Sequence, residues 1–109
     1  MDQKTKNLFE RRARIIKAMA HPTRLFIVDK LSHGEHCVCE LTKMIGADTS
    51  TVSKHLTILK NAGIVDDDKR GLMVFYKLKV PCVLNFFGCV EGVLKEDLKK
   101  AKELVESRR

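Results

Sequence analysis

Apolar positions along the chain change their period, and the changes mark out the elements. Leu8, Phe9, Ile15, Ile16 and Met19 recur at helical spacing with Arg and Lys between them, which predicts an amphipathic helix over about residues 5–20. His21-Pro22-Thr23 interrupts it. Pro22, at home in a first helical turn, predicts a second helix with Leu25, Val28 and Leu31 on one face, ending near Ser32-His33-Gly34. A short third helix is expected from about Cys37 to Ile45, with Val38, Leu41 and Ile45 inward. Gly46-Ala47-Asp48 reads as a tight turn, and a fourth helix follows from about Thr49 to Asn61, capped by Asp48 or Thr49 and ended by Ala62-Gly63. From Ile64 to Leu78 the period becomes alternating. Val74, Tyr76 and Leu78 share one face, and Lys69-Arg70-Gly71 supplies the turn of a β-hairpin. Pro81 closes the strand, and a long last helix is expected over about residues 82–105.

The third and fourth helices, joined by a turn containing Gly46, fit a helix-turn-helix, and the hairpin behind them fits a wing. The expected fold is therefore mainly α, with about five helices and one hairpin. In the fourth helix Val52, Leu56 and Leu59 form the inward stripe, while Ser50, Lys54, Thr57 and Asn61 lie opposite with Ser53 beside them. Short hydroxyl and amide side chains with one cation suit base edges and phosphates in a major groove. A merely solvated helix would mix Glu with Lys, but residues 49–61 carry no acid. Recognition helices make base contacts mainly with their N-terminal part, so Thr49, Ser50, Ser53 and Lys54 are the leading candidates, with Thr57 behind them. His55 is read either as a DNA contact or as a core neighbour. Lys69 and Arg70, at the expected hairpin tip, suit phosphate or the minor groove, although Asp66, Asp67 and Asp68 just before them oppose it.

Composition narrows the partners. The 109 residues fit one domain, carry a formal net charge of +7, and are 44% apolar and 32% charged. The sequence pI is near 9.4. A basic chain of this kind favours a polyanion, because Lys and Arg that neutralise phosphates release counterions. No apolar run approaches the ~20 residues of a membrane span. Met1 to Arg14 is polar and charged and shows no secretory signal, so a cytoplasmic location with reduced thiols is expected. There is no Cys-x-x-Cys, no nucleophile–base pair and no phosphate loop, so no enzyme activity is expected.

Four segments, AHPTRLFIVDKL, CVCEL, STVSKHLTILKNAGIV and GLMVFYKL, resemble in sequence and order the ArsR/SmtB family of metal-sensing repressors, over roughly residues 8–105. The resemblance implies a homodimeric winged helix-turn-helix whose first and last helices form the dimer interface. It also implies repression of the protein's own operon and release from DNA when an inducer binds. The expected layout is one domain over 1–109, with the helix-turn-helix at about 37–62, the wing at about 64–78 and dimerisation helices at about 5–20 and 82–105. Independently, Val90, Leu94, Leu98, Ala101 and Val105 form an apolar stripe on the last helix that needs burial. A two-fold dimer sets two recognition helices about one DNA turn apart, so the operator is expected to be an inverted repeat of double-stranded DNA.

Cys37-Val38-Cys39 is the sharpest chemical feature, and it resembles the thiolate motif of the arsenite-responsive and cadmium/lead-responsive branches. On a regular helix two such side chains diverge by about 200°, so sharing one ion requires a distorted helix start, and that distortion offers a route to DNA release. A helix N-terminus also favours the thiolate form. The chain departs from each branch. The arsenite motif's third Cys is Thr42 here, residues 1–36 hold no Cys, and residues 81–109 hold no His. Cys82 and Cys89 could complete the site as ligands, act as redox partners, or be buried at a dimer interface. They cannot pair within one straight helix, because seven residues rise ~10.5 Å and a disulfide needs Cα atoms within ~7 Å. His36 is the one His entertained as a ligand, which would suit zinc. No cofactor is expected to be needed for DNA binding. The expected inducer is As(III) or Sb(III), with Cd(II), Pb(II) and Zn(II) as further candidates. The rival on the same scaffold is a thiol-redox or persulfide sensor in which Cys39 bridges to Cys82 or Cys89.

Overall fold

The computed structural model describes residues 1–107. The chain runs α1 (Gln3–Met19), α2 (Pro22–Leu31), β1 (His36–Cys37), α3 (Val38–Ile45), α4 (Thr49–Asn61), β2 (Val65–Arg70), β3 (Met73–Leu78) and α5 (Val83–Ser107). Asp2 caps α1 by accepting from the Thr5 N–H. His21 caps α2 through Nδ1, which accepts from the Thr23 N–H at 3.1 Å, and Pro22 occupies the first turn as expected.

Two features of the sequence reading are corrected. The wing holds three strands in the order β1-β3-β2, all antiparallel, because His36 and Cys37 pair with Tyr76 and Phe75. The third helix accordingly starts at Val38. Cys37 is its extended N-cap, with φ −77° and ψ 159°, and not a helical residue. The hairpin turn also shifts. Arg70 pairs with Met73, so the two-residue loop is Gly71-Leu72, while Lys69 and Arg70 lie within β2. A two-residue loop needs positive φ at its first position, and Gly71 provides it at +63°.

The core is built from Ile27, Val28 and Leu31 of α2, Leu41 of α3, Val52, Leu56 and Leu59 of α4, and Ile64, Val65 and Tyr76 of the wing. The inward stripe of α4 is as the period predicted. That of α2 is rotated, with Ile27 buried and Leu25 exposed, because Leu25-Phe26-Ile27-Val28 is apolar throughout and the period alone cannot choose a face. Leu56 is wholly buried at the centre of α4. Leu56→Ala is expected to cost about 2–5 kcal/mol in urea or thermal unfolding, through lost transfer energy and a residual cavity.

Among the described residues, α5 contributes only Val83 to the buried core, with Phe87 partly packed against it. Phe86, Val90, Leu94, Leu98 and Val105 stand exposed on α5, as do Leu8, Phe9, Ile15 and Ile16 on α1. An apolar cleft of about 530 Å³ opens between α1, α2 and α5, lined in part by Ile16, Met19, Phe26, Phe86 and Val90. No helix among the described residues is long and apolar enough to cross a membrane.

Candidate functional site

The helix-turn-helix begins at the thiol pair. Cys37 Sγ accepts from the Glu40 N–H at 3.2 Å, and Glu40 Oε1 accepts from the Cys37 N–H at 3.3 Å. This is a capping box with sulfur in the place of a hydroxyl. The Glu40 carboxylate also meets His36 Nδ1 at 2.8 Å. That contact, and the Cys37 N–H behind it, hold the Glu40 carboxyl below its ordinary pKa. Cys37 is buried and Cys39 exposed, and their sulfurs are joined as a disulfide. The expected divergence of the two side chains does not arise, because Cys37 is extended and only Cys39 is helical. The other two thiols are apart from this pair and free. Cys82 lies in the turn leading into α5 and Cys89 on α5, and both are exposed. Among the described residues no three His, Cys, Asp or Glu side chains converge into a set able to hold a metal ion within one chain.

Gly46, with φ +76°, ends α3 in the left-handed conformation and turns the chain toward α4. Asp48 caps α4 by accepting from the Thr51 N–H at 2.9 Å, and the Thr51 hydroxyl first and this bond second lower its carboxyl pKa. Thr49, Ser50, Lys54, Thr57 and Asn61 are exposed along one side of α4, and Ser53 is half-buried beside them. Lys54 enters no ion pair among the described residues. Thr57 Oγ1 donates to the Ser53 carbonyl at 2.9 Å, so its hydroxyl proton is already committed to the helix. His55 does not join this side. Its ring stacks 4.5 Å from that of His21, and Nδ1 lies 3.5 Å from Arg24 Nη1. Burial, then the His21 and Arg24 charges, lower its pKa. Of the two readings of His55, these contacts correspond to the core neighbour, between α2 and α4.

β2 separates its two cations. Arg70 makes a bidentate pair with Glu35 at 2.8 and 2.9 Å, donates from Nε to Asp68 at 2.9 Å, and stacks over the Phe75 ring at 4.4 Å. These carboxylates raise the guanidinium pKa, and the Arg70 hydrogen bonds in turn hold the Glu35 carboxyl low. Arg70 is thus already neutralised, whereas Lys69 is exposed and enters no ion pair among the described residues. The Glu35–Arg70 clasp joins the segment before Cys37 to the wing, and sequence reasoning missed it. Asp68 and Arg70, two apart on one strand, share a face and offered the one available hint. Lys60 pairs with Asp67 at 3.0 Å and ties the end of α4 to β2. Freeing Arg70 with Glu35→Gln plus Asp68→Asn is expected to steepen the fall of log affinity with log salt by about 0.9 per added phosphate contact. An unchanged slope would show that Arg70 does not reach DNA.

Three comparisons bear on this arrangement. The model of bacterial regulatory proteins of the ArsR family matches residues 21–67. A cadmium resistance transcriptional regulatory protein CadC homolog of Staphylococcus aureus is 43% identical over 67 residues, which is 61% of this chain and 55% of that protein. An uncharacterized HTH-type transcriptional regulator of Methanocaldococcus jannaschii is 37% identical over 97 residues, 88% of this chain and 97% of that one. The homodimeric winged helix-turn-helix DNA-binding domain of a possible ArsR-family regulator from Mycobacterium bovis superposes with a TM-score of 0.76 at 30% identity, covering 92% and 93% of the two chains. These relatives are transcription regulators and DNA-binding domains, not enzymes.

Proposed function

Because this chain belongs to the ArsR family of winged-helix, DNA-binding regulators, we propose that it is a dimeric repressor whose hold on an inverted-repeat operator is broken when a thiophilic ion engages Cys37 and Cys39. Ser50, Ser53 and Lys54, with Thr49 and Thr57, read the major groove, and Lys69 touches the backbone. The protein acts in the cytoplasm, where thiols are kept reduced.

The observation that carries the reading is the sulfur cap. Cys37 is at once a strand residue of the wing, the N-cap of the first helix of the helix-turn-helix, and half of a pair whose sulfurs meet at one point. Reduced, the pair offers two soft donors, the ligand class that selects thiophilic ions. Arsenite or antimonite is the preferred inducer, and cadmium follows, given the resistance named for the staphylococcal relative. A third thiolate would come from Cys82 or Cys89, of the same or the partner subunit. Recruiting either ties the start of α3 to α5, and so shifts the DNA-reading helices against the dimer axis.

The joined sulfurs favour a second reading, in which Cys37 and Cys39 themselves are oxidised. Two thiols then become one disulfide, and two electrons and two protons pass to an oxidant such as a polysulfide. This pair differs from the Cys39 bridge to Cys82 or Cys89 expected above.

The test is operator binding at fixed salt with arsenite, antimonite, cadmium, lead, zinc or polysulfide, for wild type and each Cys→Ser variant. Cys37→Ser and Cys39→Ser are expected to keep DNA binding and lose the response to ions. If both respond as wild type does, the sensor assignment is wrong. Release of the reduced protein by polysulfide and not by any ion would select the second reading.

A further inference from the structure

A cleft of about 310 Å³ between α1, α2 and the end of α4 is lined by Arg14, Lys17 and Arg24, with Asn61 beside them and Ala18 and Ile58 among its apolar residues, and no carboxylate among the described residues lines it. None of the three cations enters an ion pair among the described residues. Arg24 Nε is buried with no hydrogen-bond partner among the described residues, and the contact of Nη1 with His55 is long, at 3.5 Å. The neighbouring titratable groups, His21 and His55, are basic too. A buried guanidinium nitrogen left without a hydrogen bond is costly, and like charges close together add to the cost.

Helix ends do not account for this concentration. α1 ends at Met19 and α4 at Asn61, and each C-terminus carries about half a negative charge. That is about one negative charge against three full cations. Nor is the cleft a piece of the dimer face. At 100° per residue, Arg14 and Lys17 fall about 150° around α1 from the centre of the Leu8, Phe9, Ile15, Ile16 and Met19 stripe.

We propose that this cleft binds a phosphate ester, its oxygens taking the donors of Arg24, Arg14, Lys17 and Asn61 and its carbon side lying on Ala18 and Ile58. Arginine's fork matches phosphate oxygens bidentately, and lysine adds a point charge. The apolar residues favour an ester over the bare ion. Such a ligand joins a dimerisation helix to the DNA-reading helix, and it is independent of the thiol chemistry above. Its source is either a free phosphorylated metabolite or a backbone phosphate of duplex DNA, since Asn61 continues the exposed side of α4.

The full chain is titrated with methyl phosphate, against sodium chloride at matched ionic strength, while the imidazole signals of His21 and His55 and the side-chain amide of Asn61 are followed by NMR. Saturable shifts are expected, with the titration midpoint of His55 moving up as the anion offsets its cationic neighbours. Arg14→Gln and Lys17→Gln, at exposed positions that should tolerate change, are each expected to weaken binding about tenfold. A drift that never saturates and is matched by chloride, or equal saturation in the Arg14→Gln/Lys17→Gln double variant, would overturn the site. Repeating the titration on the duplex complex identifies the source. A backbone phosphate blocks methyl phosphate, and Lys17→Gln then lowers the salt slope of duplex binding by about 0.9 per subunit. A free metabolite site saturates on the complex and leaves that slope unchanged.

Discussion

Leu94→Asp combined with Leu98→Asp is expected to separate the dimer into folded monomers and to weaken binding to a two-half-site duplex at least about a hundredfold. Leu94 is 56% and Leu98 71% exposed in the single chain, and neither belongs to the buried core. Removing them therefore leaves the monomer intact. In a two-fold dimer each substitution counts twice. Burial of a leucine is worth about 1.5–3 kcal/mol, so four of them contribute about 6–12 kcal/mol. A micromolar dimer has about 8 kcal/mol in all. The exposed apolar residues of α1 and α5 extend over far more than a scattered surface leucine needs, as an unfilled partner face would. Sedimentation equilibrium checks the mass and anisotropy the affinity. A double variant that remains dimeric would move the interface elsewhere.

Lys54→Ala is the second large expected effect, weakening operator binding about thirtyfold or more. A cation lost from the groove costs about 1–3 kcal/mol per half-site, and the dimer loses two. Lys54 is exposed and enters no ion pair among the described residues, and it lies one turn along α4 from Ser50, at the end proposed to enter the groove. Lys60 supplies the comparison, because its charge is taken by Asp67 at 3.0 Å. Lys60→Ala is expected to change affinity a few-fold at most. If Lys54 contacts phosphate, all sequences weaken alike and the salt slope drops by about 0.9 per subunit. If it contacts guanine, discrimination at one base pair is lost. Equal behaviour of Lys54→Ala and Lys60→Ala would remove Lys54 from the interface.

Which parts of this were legible from the sequence follows from how local the signals are. The bounds of α4, its Asp48 cap and its buried stripe were readable, because a cap, a 3.6-residue period and a Gly stop all lie within its own residues. Cys37 was misread as helical because capping signatures are looked for at Ser, Thr, Asp and Asn, and sulfur accepting an N–H breaks that rule. Its pairing with Phe75 spans 38 positions, a separation that no local period reports. The Glu35–Arg70 clasp is hidden for the same reason, since charge counts cannot show which carboxylate neutralises which cation. His55 was ambiguous because it lies at the edge between the exposed and buried sides of α4. Its stacking on His21, the cap of a different helix, is a contact that no period along α4 reports.

Titration of the reduced dimer on its own promoter duplex with arsenite, at fixed salt and under anaerobic conditions, tests the sulfur-capped switch most directly. The expected result is loss of the duplex signal in proportion to arsenite, complete when each Cys37–Cys39 pair has taken one ion. An ion fully bound at these sulfurs with the duplex still held as tightly as before would contradict the switch.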